Sequence, residues 1–560
     1  MATKTIAVMN DGDLADGQMK EVEFDGGKVL VARLGDKLVS TSAYCTHYGA
    51  SLAKGVLTAD GRVVCPWHGA CFNVCTGDIE DAPALHAIHS FKAHSDGGKI
   101  HVTADPKFTK KDDNLVRQPT IAVGLNTEES SGVVIVGGGS GTIHAIESLR
   151  ENGYKDRITV LTKENNVPID RTKLSKALPT DVSKVELRSA AELKEKYGVN
   201  IRTGVTVTGV NTTSKTVTTD STGDSTIPYT TLILAPGSFP RRLPIPGADL
   251  SNVYTLRFME DSQKIEQACA SSKIAGAVGL GKRLVIIGTS FISMEVAGTL
   301  SKKGPKSIDM IGMESVPFET ILGEEVGKGM QAVMGKGITF HMNTGVQSIE
   351  ASSSDPTVAC AVVLKDGTRL EADVVIMGVG VRPATDFLEE NSGIKLEKDG
   401  GVLVDEYLRV SGVDQVYAIG DIAVFPQTEN MTPRRIEHWN VAGNHGRAVG
   451  RTIAGNGKPF AKIPIFWSAQ GLRYCGLGGK ASYDETFIKG NPSEGKFVAY
   501  YIKGNKVVAL ASMGNDPIMS KTSELMRLGL MPSAQEIKGG TDILQVDVST
   551  AQAKAKFTSQ

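Results

Sequence analysis

Gly132-Val133-Val134-Ile135-Val136-Gly137-Gly138-Gly139-Ser140-Gly141-Thr142 is the stretch whose pattern decides the fold. Its β-branched residues run without a polar break, as in a parallel strand buried on both faces. A glycine-rich turn follows, then a helical pattern over 143–152 and a second apolar segment over 157–162. Strand, glycine turn, helix and strand is the context in which such a turn cradles a dinucleotide pyrophosphate. Gly137 and Gly139 stand where the tight bend and the close backbone approach require glycine, while Thr142 replaces the usual third small residue. A carboxylate for the ribose is expected about 20–25 residues further on. Glu164, at the end of the second strand, is the candidate.

The unit repeats in the middle of the chain. Residues 282–287 read as a second buried strand, Gly288-Thr289-Ser290-Phe291-Ile292-Ser293 as its turn, and a helix runs on through Glu295 and Ala297 to a third strand over 307–311. Two dinucleotide sites in one chain imply two nucleotides, and a flavin with a nicotinamide is the economical pair. The second turn departs from the pattern at Ser290 and Ser293. Gly312 occupies the place of the ribose carboxylate, Glu314 lies two residues on, and no Arg follows to receive a 2′-phosphate, so NADH is expected over NADPH.

Outward to the N-terminus, the chain carries Cys45-Thr46-His47 and, after a gap, Cys65-Pro66-Trp67-His68. Two Cys-His arms supply the ligand set of a Rieske-type [2Fe-2S] cluster, with two thiolates on one iron and two imidazoles on the other. Zinc modules use a Cys pair followed by a His pair, and the interleaved order argues against them. Short alternating segments such as 28–33 and 99–103, set between Gly and Asp turns, read as an all-β domain. Gly49, Gly55, Gly69 and Gly77 leave room for backbone amides to approach a cluster.

The 560 residues imply several domains. With 61 basic against 62 acidic residues, a nucleic-acid partner held by bulk charge is not expected. No apolar run is long enough to span a membrane. The first residues show neither a secretory apolar core nor an Arg-rich transit pattern, so a cytoplasmic location is expected over a mitochondrial one. Seven Cys, two already given to iron, fit a reducing compartment better than a disulfide framework. Cys71 and Cys75 read as small buried residues. No Cys lies between Cys75 and Cys269, which leaves no redox pair beside a flavin.

The order along the chain is a Rieske-type domain over 1–105, a polar linker over 106–131 that still permits docking, a first FAD-binding part over 132–255, a nicotinamide-binding domain over 256–382, a second FAD-binding part over 383–455 and an α+β C-terminal domain over 456–560. Segments 497–502 and 506–511 alternate like a hairpin about Gly504-Asn505, and the tail over 548–560 is expected to be frayed.

Cys45-Thr46-His47-Tyr48-Gly49-Ala50 and Cys65-Pro66-Trp67-His68-Gly69 resemble the two Rieske loops. High-potential Rieske proteins carry one further Cys in each loop. Ala50 and Trp67 stand there, which implies the ferredoxin-like class near the lower end of about −150 to +300 mV. Gly378-Val379-Gly380-Val381-Arg382-Pro383 and Val416-Tyr417-Ala418-Ile419-Gly420-Asp421, taken with the first glycine turn, resemble the pyridine-nucleotide, FAD-dependent reductases of glutathione-reductase fold. The likeness is to oxygenase-system ferredoxin reductases and to apoptosis-inducing-factor-like proteins, and the Rieske-plus-reductase order resembles that of the apoptosis-inducing-factor-3 subgroup.

The resemblance implies roles for particular residues. Gly420 and Asp421 would hold the FAD ribityl chain, although Asp421 also suits a helix N-cap. Asp170-Arg171-Thr172-Lys173-Leu174-Ser175-Lys176 matches a segment beside the flavin, with Thr172 in place of Pro. Lys176 would lie near the reactive edge of the flavin and pair with Glu295; exposed helix charges are the alternative for both. Glu437-His438-Trp439 would cover the flavin ring, and Ile465-Phe466-Trp467-Ser468 would enter from the C-terminal domain. Trp439 and Trp467 either stack at the flavin or belong to the core. The implied activity is an NAD(P)H-dependent reductase passing electrons through FAD and the cluster to an acceptor that the sequence does not name, a protein among the options. An NAD(H)-binding redox sensor and an electron donor to an oxygenase are the alternatives.

Overall fold

The computed structural model describes residues 3–111, 117, 132–223, 225–270, 281–389, 391–427, 432–479 and 482–558. The N-terminal region forms two antiparallel sheets. The larger runs Lys4–Asn10, Lys99–Ala104, Ser90–Asp96, Lys37–Ser42, Gly27–Leu34, Met19–Phe24 in spatial order. The smaller holds Val56–Leu57, Arg62–Val64, Cys71–Asn73 and Ile79–Asp81. Cys45 follows the larger sheet and Cys65 directly follows strand Arg62–Val64 of the smaller, so each Cys-His arm is a loop on a rigid support.

The first glycine turn follows Val133–Val136, the middle strand of a parallel sheet ordered Val199–Arg202, Ile158–Leu161, Val133–Val136, Thr231–Leu234, Val416–Ala418. All four residues of that strand are buried, as a sheet covered on both faces requires. Helix α1 (Ser140–Glu151) starts from the turn and short helix α2 (Thr172–Ala177) follows. The second turn lies between Arg283–Ile287 and helix α3 (Phe291–Ser301), in another parallel sheet that includes Ser307–Ile311 and Val374–Met377. The sequence boundary at 255/256 is corrected here: Val253–Tyr254 pairs with Val374–Met377 and belongs to this second sheet.

Helix α4 (Trp439–Ile453) packs on α1, and its glycines allow unusually close approach. A Cβ on Gly446 would lie 2.2 Å from the Gly141 carbonyl oxygen, and one on Gly450 would lie 2.6 Å from Ser148 Cβ. The small residue missing at Thr142 is thus supplied by the partner helix. Thr142 itself is buried and donates from its hydroxyl to the Gly137 carbonyl at 2.8 Å, closing the turn.

The C-terminal sheet is antiparallel, ordered Ile465–Trp467, Leu472–Gly476, Lys506–Met513, Lys496–Lys503, Glu485–Asn491. Lys503 pairs with Lys506 across the two-residue Gly504-Asn505 turn. Helix α5 (Ile518–Arg527) packs on this sheet. The tail differs from expectation. Val548 is buried, its carbonyl accepts from the Ala59 amide at 2.8 Å, and Ala551–Thr558 is helical. Of the linker, residues 106–111 close the first domain, with Thr109 receiving the Lys28 amide at 2.8 Å; apart from Arg117, the rest lies outside the described residues. No helix among the described residues is long and apolar enough to cross a membrane.

The N-terminal region is docked on the rest by buried polar contacts. Asn444 Oδ1 accepts from the Ala82 amide at 2.9 Å and Asn440 Nδ2 donates to the Ala82 carbonyl at 3.1 Å. Arg447 donates to the Ile79 carbonyl at 2.9 Å, Lys462 reaches Asp81 at 2.8 Å, and Ser520 of α5 donates to the Cys65 carbonyl at 2.8 Å. Leaving such groups unpaired in the interior costs about 1–3 kcal/mol each, so the docked arrangement is strongly specified.

Candidate functional site: a paired Cys-His centre beside a nucleotide cavity

The two Cys-His loops close with the same backbone bonds. Cys45 N–H donates to the Ala50 carbonyl and Gly49 N–H to the Cys45 carbonyl, both at 2.9 Å. Cys65 N–H donates to the Ala70 carbonyl at 2.8 Å and Gly69 N–H to the Cys65 carbonyl at 3.3 Å. Gly49 and Gly69 adopt φ of +74° and +70°, a conformation that favours glycine. The Cys45 and Cys65 thiols are buried and act on each other's titration. Their mutual interaction raises the Cys45 thiol pKa and lowers that of Cys65, and the neighbouring His47 and Tyr48 amides favour the thiolate of the first as the Trp67 and His68 amides do that of the second.

The imidazoles of His47 and His68 face each other with their Nδ1 atoms 3.1 Å apart. Burial lowers their pKa to about 4 and about 2, so both rings are neutral donors, as metal ligation needs. No three His, Cys, Asp or Glu side chains among the described residues gather round a single ion position. The donors form a thiol pair and an imidazole pair instead, which fits a binuclear centre with unlike ends. Cys71 lies outside the set, buried between the first domain and the C-terminal sheet.

One cavity of ≈ 660 Å³ joins the two glycine turns. Its wall includes Gly138–Gly141, Glu164, Arg171, Lys176, Gly420, Asp421, His438, Trp439, Ser290, Phe291, Glu295 and Trp467. Gly137 has φ +111°, and a Cβ there would lie 2.1 Å from the Ala235 carbonyl oxygen; Gly139 opens onto free space. Glu164 Oε1 accepts from Arg171 at 2.6 Å, while its buried Oε2 has no hydrogen-bond partner. An orphaned carboxylate oxygen beside a glycine turn fits a ribose hydroxyl. Asp421 is held by Arg257 at 2.9 Å and by the Ser238 hydroxyl at 2.8 Å. Burial lowers the His438 pKa to about 4, and its Nδ1 has no partner. These residues fit a bound FAD.

The second turn keeps what its backbone requires. Gly288 has φ +104°, and a Cβ would lie 2.3 Å from the Gly378 carbonyl oxygen. Ser290 caps α3 with ordinary extended dihedrals, and Ser293 packs on Gly378, donating to its carbonyl at 3.3 Å. Both serines are therefore accommodated, and Glu314 accepts from Thr289 at 3.4 Å beside the turn.

Between the turns, Glu295 is buried and ties three parts of the chain together. It accepts from Lys176 Nζ at 2.9 Å, from the Ser175 hydroxyl, and from the Ala469 amide at 2.8 Å. The Lys176–Glu295 pair is thus a partly buried junction rather than two exposed helix charges. Trp467 lines the cavity, and its ring lies 4.5 Å from that of His68 and 5.9 Å from that of His47. Sequence reading missed Arg257, Ser238 and the Tyr48 contact with Asp170. Each partner lies far away along the chain, and no spacing rule connects them.

The pyridine nucleotide-disulphide oxidoreductase family model matches residues 131–446 and the Rieske [2Fe-2S] domain model residues 4–92. Human apoptosis-inducing factor 3 is 35% identical over 539 residues, covering 95% of this chain and 85% of its own length. Rhodocoxin reductase of Rhodococcus erythropolis is 29% identical, over 76% of this chain and 95% of its own. The solved ferredoxin reductase for the CYP199A2 system from Rhodopseudomonas palustris superposes with a TM-score of 0.66 at 25% identity, covering 77% of this chain and all of that one. With a Rieske domain ahead of the two nucleotide-binding folds, the chain belongs to the pyridine nucleotide-disulphide oxidoreductases, an oxidoreductase family whose cofactors, with that domain, are FAD, NAD(P)H and a [2Fe-2S] cluster.

Proposed function

We propose that the protein carries electrons from NADH through FAD to its Rieske cluster and on to a one-electron acceptor. The observation that carries this reading is the position of Trp467, which forms part of the cavity wall and packs against both imidazoles of the Cys-His centre. FAD, when bound, would supply the conversion of a two-electron hydride donor into single electrons, and a [2Fe-2S] cluster would supply a one-electron centre.

The chain's residues supply binding, orientation and exclusion of water. Gly137 and Gly139 admit the FAD pyrophosphate, Glu164 and Arg171 hold its adenosine side, and Gly420 and Asp421 its ribityl chain. Lys176, fixed by Glu295, sets a positive charge beside the flavin, and His438 and Trp439 cover the ring. Gly288 opens the nicotinamide site. Glu314 disfavours a 2′-phosphate by charge and favours NADH. Cys45, Cys65, His47 and His68 hold the two irons. The docked arrangement makes the transfer intramolecular, with no search for a separate ferredoxin.

Anaerobic stopped-flow absorbance tests the proposal. Mixing with NADH should bleach the flavin and then the cluster, faster than mixing with NADPH. A bleached flavin beside a persistently oxidised cluster would refute the relay, and a flavin inert to both nucleotides would refute the donor assignment.

A further inference from the structure

The docked domain turns its centre inward. His68 is only 6% exposed, its ring is covered by Trp467, and α5 closes over Cys65 through the Ser520 hydrogen bond. A route out is still needed. Among the described residues two aromatic side chains are exposed, Tyr48 at 45% and Trp67 at 37%. They sit one in each ligand loop. Tyr48 stacks on His47 with ring centres 4.0 Å apart and an interplanar angle of 14°, and Trp67 meets His68 edge-on at 6.3 Å. Exposed aromatics are costly to keep in water and are favoured in interface cores. Two lysines flank the Tyr48 loop, while the exposed Asp516 lies on the Cys65 side. The exposed Lys111 runs within 3.5 Å of the Cβ position of Gly49, next to Tyr48. Lys173 of α2 pairs with Asp170 at 3.8 Å, on the same carboxylate oxygen that accepts from Tyr48, and keeps 39% of its side chain exposed while Asp170 is buried.

We infer that Tyr48 and Trp67, with Lys111 and Lys173, form the docking surface for an external acceptor, an acidic one-electron carrier protein that is reduced while the Rieske domain stays docked. The inference rests on the function proposed above and adds the exit to it. Each NADH gives up two electrons as it becomes NAD⁺ and a proton, so two acceptor molecules are reduced in succession by one electron each. Opposite charge speeds the encounter, and added salt slows it.

The test uses the holoprotein with its cluster reduced in advance by dithionite, so the exit is read independently of the NADH relay. Cytochrome b5, an acidic haem protein, and cytochrome c, a basic one, are the probes. Oxidation of the cluster by cytochrome b5 should slow about tenfold or more between about 10 mM and about 200 mM salt, whereas the rate with cytochrome c should not fall. The double variant Lys111→Glu, Lys173→Glu should lower the cytochrome b5 rate at low salt about tenfold and flatten its salt dependence. Its cluster EPR spectrum and its NADH-driven flavin bleaching should match the parent. Trp67→Ser, with the EPR spectrum unchanged, should slow both probes. An unaltered cytochrome b5 rate and salt slope in the lysine variant would overturn the inference. Failure of NADH to reduce the cluster would instead refute the relay and leave this readout standing.

Discussion

The Tyr48 hydroxyl donates to the Asp170 carboxylate at 3.0 Å, joining a Cys-His loop to the start of α2. That contact belongs to a closed circuit. Helix α2 carries Lys176, Lys176 binds Glu295, Glu295 receives the amide of Ala469, and two residues earlier Trp467 returns to His68. The Cys-His centre, the Lys176–Glu295 pair and the Trp467 indole therefore hold one another in place. Rigidity of this kind suits electron transfer, where separation must be fixed and little may rearrange.

Tyr48→Phe keeps the ring and removes the bond to Asp170. Tyr48 is nearly half exposed, so the loss is set at about 1 kcal/mol. NADH should bleach the flavin at the parent rate, while the later cluster phase slows. Stopped-flow absorbance separates the phases, and equal slowing of both would contradict the circuit.

Glu295→Gln leaves Lys176 and two further donors facing a neutral amide in a buried place. Breaking one side of a buried pair costs about 3–5 kcal/mol. Lys176 retains some exposure, with 24% of its side chain accessible, so the lower end, about 3 kcal/mol, is expected. Urea unfolding should register that loss. Because the Ala469 anchor of the Trp467 segment also weakens, both kinetic phases should slow, unlike in Tyr48→Phe.

What could be read in the sequence was what the chain encodes locally. A glycine turn between strand and helix, a Cys-x-His arm and a Gly-Asn hairpin each need only near neighbours, and all three take the expected form. Lys176 with Glu295 became readable only through resemblance, since more than a hundred residues separate them. The docking of the first domain was illegible. Asn444 serves Ala82 and Lys462 serves Asp81 across more than 350 residues, and no periodicity marks an asparagine for such a task. The boundary error at Val253–Tyr254 has a similar cause: a two-residue strand has too little pattern to reveal its sheet. The polar tail looked frayed because its anchor, the Val548 carbonyl, is a backbone atom.

Glu164→Gln tests the adenosine side of the cavity. The substitution removes the charge that holds Arg171 and weakens the acceptor left facing the cavity. Hydrogen bonds to charged groups contribute about 1.5–3 kcal/mol, so FAD should dissociate about tenfold to a hundredfold more readily. Recovery of flavin fluorescence on dilution gives the constant.

The second turn yields a contrast between two substitutions. Ser290 has ordinary dihedrals, so Ser290→Gly should change the dissociation constant for NADH by no more than about threefold. Gly288 needs positive φ and faces the Gly378 carbonyl, so Gly288→Ala should abolish NADH binding or destabilise the domain. Titration of the reduced-nicotinamide fluorescence against both variants decides this. A large gain from Ser290→Gly would mean that the serine obstructs the pyrophosphate after all.

Acid should loosen the FAD-binding fold earlier than its carboxylates alone would dictate. His445 is fully buried, with Phe425 and Phe460 meeting it edge-on at 4.5 and 4.6 Å. Its Nδ1 accepts the Gly420 amide at 3.2 Å, which leaves the proton on Nε2, and burial lowers its pKa to about 3. In the unfolded chain the same imidazole titrates near 6.5. As pH falls through about 6.5 the unfolded state gains a proton that the folded state refuses until about 3, so stability is fully present above about 6.5 and drains away below it. One such group contributes a slope of about 1.4 kcal/mol per pH unit. His445→Asn keeps an acceptor for the Gly420 amide and removes the titration. Unfolding monitored by flavin release between about pH 6 and pH 4 should therefore show a slope shallower by one proton in the variant, even where its absolute stability is lower. An unchanged slope would mean that His445 already carries its proton in the folded protein, and the Gly420 hydrogen bond would then have to be reversed or broken.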